Sequence, residues 1–405
     1  MRRLVTALGD PLAGIPVIHL AGTNGKGSTG ALIASALSAS GLRTGLYTSP
    51  HVQRFNERIQ VDGASIDDET LETRLVEILA IDLDATFFEV ATAVAFSHFG
   101  RVGIDVAVIE TGLGGRLDAT NVVTPRVTVV TSIARDHTAV LGDTLAAIAK
   151  EKAGIFKAGT PGVAARGGSE VEDVLCAEAT RRGCELTLEG RDFTWRGDAG
   201  RLSYASSAAG ALAPIEVGLP GAYQFQNAVL AWAALDALDA QGIVVDEAAR
   251  RRGFARARWP GRFEWIDDVL LDGAHNPQGC RALAASLLPD ARFSLIFAAL
   301  DDKQIEAMFD ALRSHVVHAV FPAIASDRAV PPSRLATIWG AGGQVAGTTQ
   351  EALVRLRRRS SSILVAGSLY LVGEARALMT GDATPDVGDP SAMGSGPDRA
   401  NPTKI

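Results

Sequence analysis

The turn Gly22-Thr23-Asn24-Gly25-Lys26-Gly27-Ser28 sets three glycines and one lysine among hydroxyl and amide side chains. Glycine at these positions lets the backbone turn tightly, so that successive amide N–H groups converge; together with the positive start of a helix they attract a polyphosphate. Lys26 is then placed to reach the outer phosphates, and Ser28 or Thr29 to meet a magnesium ion. Only two residues separate Gly22 from Gly25 and a glycine follows the lysine, so the loop departs from the strict G-x-x-x-x-G-K-[ST] pattern. Glu110 ends the apolar run Ile104 to Ile109, and a carboxylate at the end of a buried strand beside a phosphate loop is where a magnesium ligand is wanted. Thr111 to Asn121 is too glycine-rich for a regular element and too polar for a core, which marks it as a functional loop.

These groups need elements to hold them. Ile15 to Ala21 predicts a strand entering the glycine turn, and the apolar residues of Ala31 to Leu37 predict the helix after it. Arg43 to Tyr47 predicts a second strand, with Gly41 closing the helix before it and the polar turn Thr48-Ser49-Pro50-His51 after it. Asp67-Asp68-Glu69-Thr70 predicts a capped helix through Ile81, and Thr86-Phe87-Phe88-Glu89 opens another through Phe99. Val127 to Ile133 predicts a strand that delivers Asp136-His137. Thr144 to Lys152 predicts a helix closed by Ala153-Gly154, with Lys150 and Lys152 suited to its dipole. Such alternation through residue 190 argues a parallel sheet with helices on both faces. Arg191 to Gly218 reads as a small β-rich excursion, and an alanine-rich helix follows through Leu238.

Proline and glycine at Arg258-Trp259-Pro260-Gly261 interrupt the helical pattern and predict a linker. Beyond it strands at Val269 to Asp272, Phe293 to Phe297, Val316 to Phe321 and Ile363 to Ala366 alternate with helices around Leu283, Ala307, Leu335 and Leu353. The division expected is a first domain over 1–258, a second over 262–378 and a disordered tail over 379–405.

At 405 residues, with 47% hydrophobic and 21% charged, the chain is long enough for two cores and is not a disordered one. A net charge of −7 argues against a broad nucleic-acid surface, and the basic run Arg355, Arg357, Arg358 and Arg359 reads as a solvated helix end. Cys176, Cys184 and Cys280 lack C-x-x-C spacing, so neither a disulfide framework nor a zinc site is indicated and a reducing cytoplasm is expected. No apolar stretch approaches the ~18 residues of a membrane span, and no signal core precedes the first strand.

The phosphate loop, Thr48-Ser49-Pro50-His51, Glu110 to Asn121, Asp136-His137-Thr138, Glu151-Lys152-Ala153-Gly154, Pro260-Gly261-Arg262-Phe263-Glu264 and Asp272-Gly273-Ala274-His275-Asn276-Pro277 occur in this order. Together they resemble folylpolyglutamate synthase/dihydrofolate synthase, a branch of the Mur ligase superfamily, over about residues 9 to 376. The resemblance implies an α/β fold: a P-loop Mur-ligase-like central domain with a parallel-rich sheet, then a smaller Rossmann-like glutamate-ligase domain. It implies ATP and Mg2+ as cofactors, with a folate or dihydropteroate and L-glutamate as the small-molecule partners, joined through an acyl phosphate. A monomer without nucleic-acid or membrane partners is expected.

Residue by residue, the resemblance implies that Gly22 to Ser28 hold the phosphates with Asn227, Arg262 and Asp272, and that Ser49, Glu110 and His137 ligate magnesium. His275 would lie near the γ-phosphate. Lys152 would be carbamylated and serve as a further magnesium ligand; composition alone reads it as a helix-capping cation. Thr86, Phe87, Phe88 and Glu89, with Leu117, Asp118 and Ala119, match the stretches that line a pterin site. For the two phenylalanines core packing is the alternative, for Ser49 a turn cap, and for Arg262 a surface ion pair. Asp118 has little structural reason to stand in a glycine-rich loop. Two departures stand out: the family's Asp-Lys-Asp appears as Asp301-Asp302-Lys303-Gln304, and the helix before the phosphate loop is nearly absent, as a start codon placed late would leave it.

Two other readings stay open on the sequence: a Mur-type ligase for a different carboxylate, and a P-loop module that hydrolyses ATP without ligation. The Gly112 to Asn121 run favours the folate ligase over the first, and Asp272 with His275 disfavours the second.

Overall fold

Strand β1, Val17–Ala21, is buried at every residue because each of its faces meets apolar helices. Ile18 and Leu20 pack with Leu32, Ile33, Ala36 and Leu37 of the helix Lys26–Ala39 and with the helix Gln224–Ala240. Val17 faces the other way, into a cluster with Tyr47, Phe96 and Phe99. The computed structural model describes residues 1–81, 84–198, 200–206, 210–358 and 362–382.

Around β1 lie β2 (Thr44–Tyr47), β3 (Ile59–Val61), β4 (Ala64–Ser65), β5 (Val106–Glu110), β6 (Val127–Val130), β7 (Gly162–Ala164) and β8 (Leu186–Leu188). Their order is β4-β3-β2-β5-β1-β6-β7-β8, antiparallel at β3 and β4 and parallel elsewhere. The parallel-rich α/β fold is therefore as expected. Leu20 pairs with Glu110 and Ala21 with Val130, so β1, β5 and β6 end together and deliver their loops to one edge, where ligands bind in open α/β sheets. A meander of Phe193–Asp198, Arg201–Ser206, Gly210–Ala211 and Ile215–Glu216 is the β-rich excursion.

Every described strand after residue 261 belongs to a second sheet, ordered Glu264–Ile266, Val269–Leu271, Ile363–Ala366, Phe293–Phe297, Val316–Pro322, Gly343–Ala346. Its first strand is antiparallel and the others parallel. Leu295 and Phe297 join one apolar cluster and Ile296 the other, so helices cover this sheet too on both faces. The strands at 264–266 and 343–346 were not anticipated.

Two expectations need correction. A helix does precede the glycine turn, Arg2–Ala7, with Leu4 buried in the cluster around Phe96. The connecting segment after Arg256 is without regular structure up to Glu264 but is packed: Trp259 lies against Gly27, and Arg258 donates to the carbonyls of Gly218, Ala255 and Ala257. The last helix, Leu369–Thr380, runs past the boundary set at 378; the proposed tail lies outside the described residues from 383 onward, as does Arg359. No helix among the described residues is long and apolar enough to cross a membrane.

Candidate active site

The glycine turn is shaped by what surrounds it. Gly22 stands at φ 154° and Gly25 at φ 91°; a Cβ on the first would collide with Thr131 Oγ1 and on the second with Asn227 Oδ1. Strand β6 fastens the turn from its end: Thr23 N–H donates to the Ser132 carbonyl at 2.7 Å, and Thr131 Oγ1 to the Asn24 carbonyl at 2.8 Å. The helix Lys26–Ala39 starts here with no side chain capping its first amides, so its N–H donors and positive dipole end stay open to an anion. Lys26 Nζ lies 3.1 Å from the Gly22 carbonyl and 3.6 Å from Glu110 Oε1.

A cavity of about 260 Å³ opens on this turn. It gathers Gly22 to Ser28 with Ser49, Glu110, His137, Lys152 and Asn227, and receives Arg262, Asp272 and His275 from the second sheet's side. Burial pushes the Glu110 carboxyl up, opposed by the Lys26 charge and the Ser49 amide. Lys152 Nζ donates to the Gly22 carbonyl at 2.7 Å; burial, with help from the Lys26 charge, pulls this amine down to about 7. Asp272 accepts Tyr223 Oη–H at 2.5 Å, Phe263 N–H at 2.9 Å and Ala274 N–H at 2.9 Å, so its carboxylate is fixed among three donors.

Asp136 is the hub between the two sheets. It accepts Lys303 Nζ at 2.6 Å and Asn276 Nδ2 at 3.1 Å, with His275 Nε2 at 3.5 Å. Burial alone would raise its carboxyl, but the His275 hydrogen bond and charge and the Lys303 charge outweigh it and hold the group far below the ordinary carboxylate range. His137, at φ 49°, is pushed down to about 4 by burial against the pull of Asp136. Asn24 and Asn276 exchange amide hydrogen bonds at 3.2 and 2.9 Å, and Gln278 Oε1 accepts Asn24 Nδ2 at 2.7 Å.

A hard divalent cation wants oxygen ligands. Asp136, His137 and Asp302 offer ligand atoms within 4.8 Å of one another, but Lys303 lies 2.6 Å from Asp136 and 3.2 Å from Asp302, and Arg328 lies 3.0 Å from Asp302. That charge is already balanced. Glu110 is buried, its one ion pair among the described residues is the loose one to Lys26, and with the Ser49 hydroxyl beside the same cavity it fits a magnesium ion best.

The stretches matched to a pterin site do not line this cavity. Thr86 and Glu89 form a reciprocal capping box at the start of the helix Phe87–Val102, and Glu89 also holds the Met1 amine at 2.6 Å. Phe87 stands 6.0 Å from the Phe55 ring and under the Arg58 guanidinium, whereas Phe88 reaches the cavity wall by packing on Gly112. Leu117 is 79% exposed. Ala119 opens a short turn of helix capped by Asp118. Asp118 proves to have structural work: its carboxylate accepts Thr120 N–H at 2.9 Å, Thr120 Oγ1–H at 2.6 Å and Leu113 N–H at 2.8 Å.

Comparison with known proteins decides the family. The Mur ligase middle domain matches residues 20–235, and the Mur ligase glutamate ligase domain matches residues 261–369. The dihydrofolate synthase/folylpolyglutamate synthase of Bacillus subtilis is 38% identical over 74% of each chain. The chain belongs to the folylpolyglutamate synthase/dihydrofolate synthase family of Mur ligases. The Escherichia coli FolC structure in complex with DHPP and ADP superposes with a TM-score of 0.85 at 31% identity, covering 93% of this chain and 92% of that one. The Mycobacterium tuberculosis folylpolyglutamate synthase complexed with ADP and AMPPCP gives 0.86 at 33%, covering 95% of each. A probable bifunctional folylpolyglutamate synthase/dihydropteroate synthase of Haloferax volcanii is 37% identical over 95% of this chain, which spans only 48% of that longer protein. As a member of this family the chain is an ATP-dependent ligase.

Sequence reading of the ligase site passed over Asp136, Tyr223, Asn276, Gln278, Asp302 and Lys303 as site residues. Asp136 and Asn276 stood beside the histidines of two quoted motifs and gave a signal. Asp302 and Lys303 stand in the run that replaces the family's Asp-Lys-Asp, but the pairing of Lys303 with Asp136, 167 residues away, has no sequence signal.

Proposed function

We propose that this ligase joins L-glutamate to the carboxylate of a folate, and to that of dihydropteroate, with ATP converted to ADP and phosphate. A carboxylate is a poor acyl donor until it carries a leaving group. Transfer of the γ-phosphoryl to the acceptor carboxylate gives an acyl phosphate and ADP; the glutamate amine then attacks the acyl carbon, phosphate leaves, the amide forms and the amine gives up a proton.

The observation that carries this reading is the cavity itself: an uncapped helix start with Lys26 on one side, and Arg262, Asp272 and His275 on the other. In this assignment Gly22 to Ser28, Asn227 and Arg262 bind the nucleotide, and the Asp272 carboxylate, held by Tyr223, orients it. Ser49, Glu110 and His137 would hold Mg2+, joined by Lys152 as a carbamate; the ion supplies positive charge against the phosphate oxygens. The acceptor lies along the Gly112 to Gly114 wall, with its pterin end toward Thr86 to Glu89 and Leu117 to Ala119. Residues 1–258 and 262–380 act as two domains that enclose the reactants, in a cytoplasmic monomer.

Purified protein with ATP, Mg2+ and radiolabelled glutamate, offered tetrahydrofolate and dihydropteroate separately, should incorporate label into each. Incorporation into neither would overturn the proposal, and incorporation into one alone would remove the bifunctional part.

A further inference from the structure

His19 is fully buried in the middle of β1, between the apolar residues Ile18 and Leu20, where an aliphatic side chain would satisfy the core. Its Nε2 lies 2.8 Å from Thr120 Oγ1, and its Nδ1 is buried without a hydrogen-bond partner. Buried polar groups left in that state call for a reason beyond packing. Thr120 Oγ1 has one proton, and at 2.6 Å that proton goes to Asp118 Oδ1, which as a carboxylate can only accept. The imidazole must therefore donate, as the Nε2–H tautomer. Burial, with the Lys157 charge behind it, keeps the ring neutral down to about pH 3.

The hydrogen bonds continue into the loop. Asp118 Oδ2 accepts Leu113 N–H at 2.8 Å, and Gly112, Leu113 and Gly114 form one wall of the cavity. From the strand that carries the phosphate turn, hydrogen bonds thus run His19 to Thr120 to Asp118 to Leu113, linking the two walls that ATP and the acceptor must share.

We infer that His19 is a positioning residue that, through Thr120 and Asp118, sets the Gly112–Gly114 wall against the phosphate loop and so governs acceptor binding. The assignment of this wall to the acceptor rests on the function proposed above; the relay itself does not. The buried Arg58, whose guanidinium lies against both the Phe55 and Phe87 rings, also has no assigned role, but it does not line the cavity on the glycine turn.

The test uses the full chain with His19→Leu, His19→Gln, Thr120→Val, Thr120→Ser and the His19→Leu/Thr120→Val double variant. Glutamine places an N–H near the Nε2 position and serine keeps the hydroxyl, so both preserve the relay, whereas leucine and valine cut it. Hydrogen exchange of the ligand-free protein should rise at least tenfold across Gly112–Asn121 in His19→Leu and in Thr120→Val, with Gly22–Ser28 unchanged, and should return toward wild type in His19→Gln and Thr120→Ser. In steady-state ligation, acceptor KM should rise about tenfold with ATP KM within twofold of wild type, and the double variant should lose no more than either single one. Unchanged exchange in Thr120→Val, which keeps the core volume even if His19→Leu fails to fold, overturns the relay whatever the activity. Raised exchange with no acceptor-selective KM change overturns the acceptor role. A wild-type protein that ligates neither acceptor overturns the proposed function instead, and the exchange result still decides the relay.

Discussion

Two lysines meet at one carbonyl: Lys26 and Lys152 both donate to Gly22 O, at 3.1 and 2.7 Å. Lys26→Ala removes a point charge and little core volume, so it should abolish ligation without moving the unfolding midpoint; more than a tenth of wild-type turnover would remove Lys26 from the phosphate site. Lys152, half neutral near pH 7, can take up carbon dioxide, which an ammonium cannot. Lys152→Ala should be nearly inactive, and acetate should restore part of the turnover by supplying oxygens; full activity without acetate would return Lys152 to helix capping. His19 gives a pH prediction of definite sign. Its pKa falls from 6.5 in the unfolded chain to about 3 in the fold, so the unfolded state binds the extra proton between these values. Stability is complete above pH 6.5 and is lost on acidification by about 1.4 kcal/mol per unit. From pH 7.5 to 5 wild type should lose about 2 kcal/mol more than His19→Gln in urea unfolding, and parallel losses would contradict the burial argument. Residue types singled out the glycine turn and Glu110, and the fold brings them to one cavity. Asp118 and the Thr86–Glu89 pair were harder: a carboxylate that closes a loop or caps a helix has the same identity as one that meets a ligand, and only the hydrogen bonds separate them.

At the scale of elements, the glycine loop is seated on the end of the helix Leu145–Lys152. Arg116 N–H donates to the Glu151 carbonyl at 2.9 Å, its guanidinium pairs with the Glu151 carboxylate at 3.0 Å, and Asn121 Nδ2 donates to the Gly154 carbonyl at 3.3 Å. This contact is close enough that a Cβ on Gly154 would strike the Arg116 backbone. Gly154→Ala should therefore push the loop away from Lys152, lowering stability by roughly 1–3 kcal/mol and turnover with it. An unchanged denaturation midpoint would mean that the loop yields freely. The elements themselves were largely legible. Period and capping residues gave the helices their starts at Asp67 and Thr144, each of which accepts a backbone N–H three residues on. What escaped were short strands such as Gly343–Ala346, whose glycine start and half-buried residues carry no β signal until the neighbouring strand Val316–Pro322 is in place.

At the scale of the whole molecule, the two halves meet through polar contacts rather than a common core. Asn24 with Asn276 and Gln278, Ser132 with Gln278, and Asp136 with Lys303 cross the gap, while the apolar clusters stay almost wholly on their own sides. Polar interfaces of this kind open readily, because water can replace each hydrogen bond. The Asp136–Lys303 pair differs from the rest: both side chains are only 6% exposed, and removing one partner of a buried pair within a rigid core costs about 3–5 kcal/mol. Here the cost has an escape. If Lys303 becomes alanine, Asp136 regains water once the halves separate, so the loss should appear as opening rather than unfolding. Without nucleotide, Lys303→Ala should give a wider solution-scattering envelope than wild type with little change in the melting of either half. ATP, which in the proposed site touches Lys26 on one side and Arg262 on the other, should narrow it again. A Lys303→Ala profile that overlays wild type, with and without ATP, would mean that this ion pair does not hold the halves together and that closure rests on the other polar contacts, among them those around Asn24, Tyr223 with Asp272 and Gln53 with Arg376.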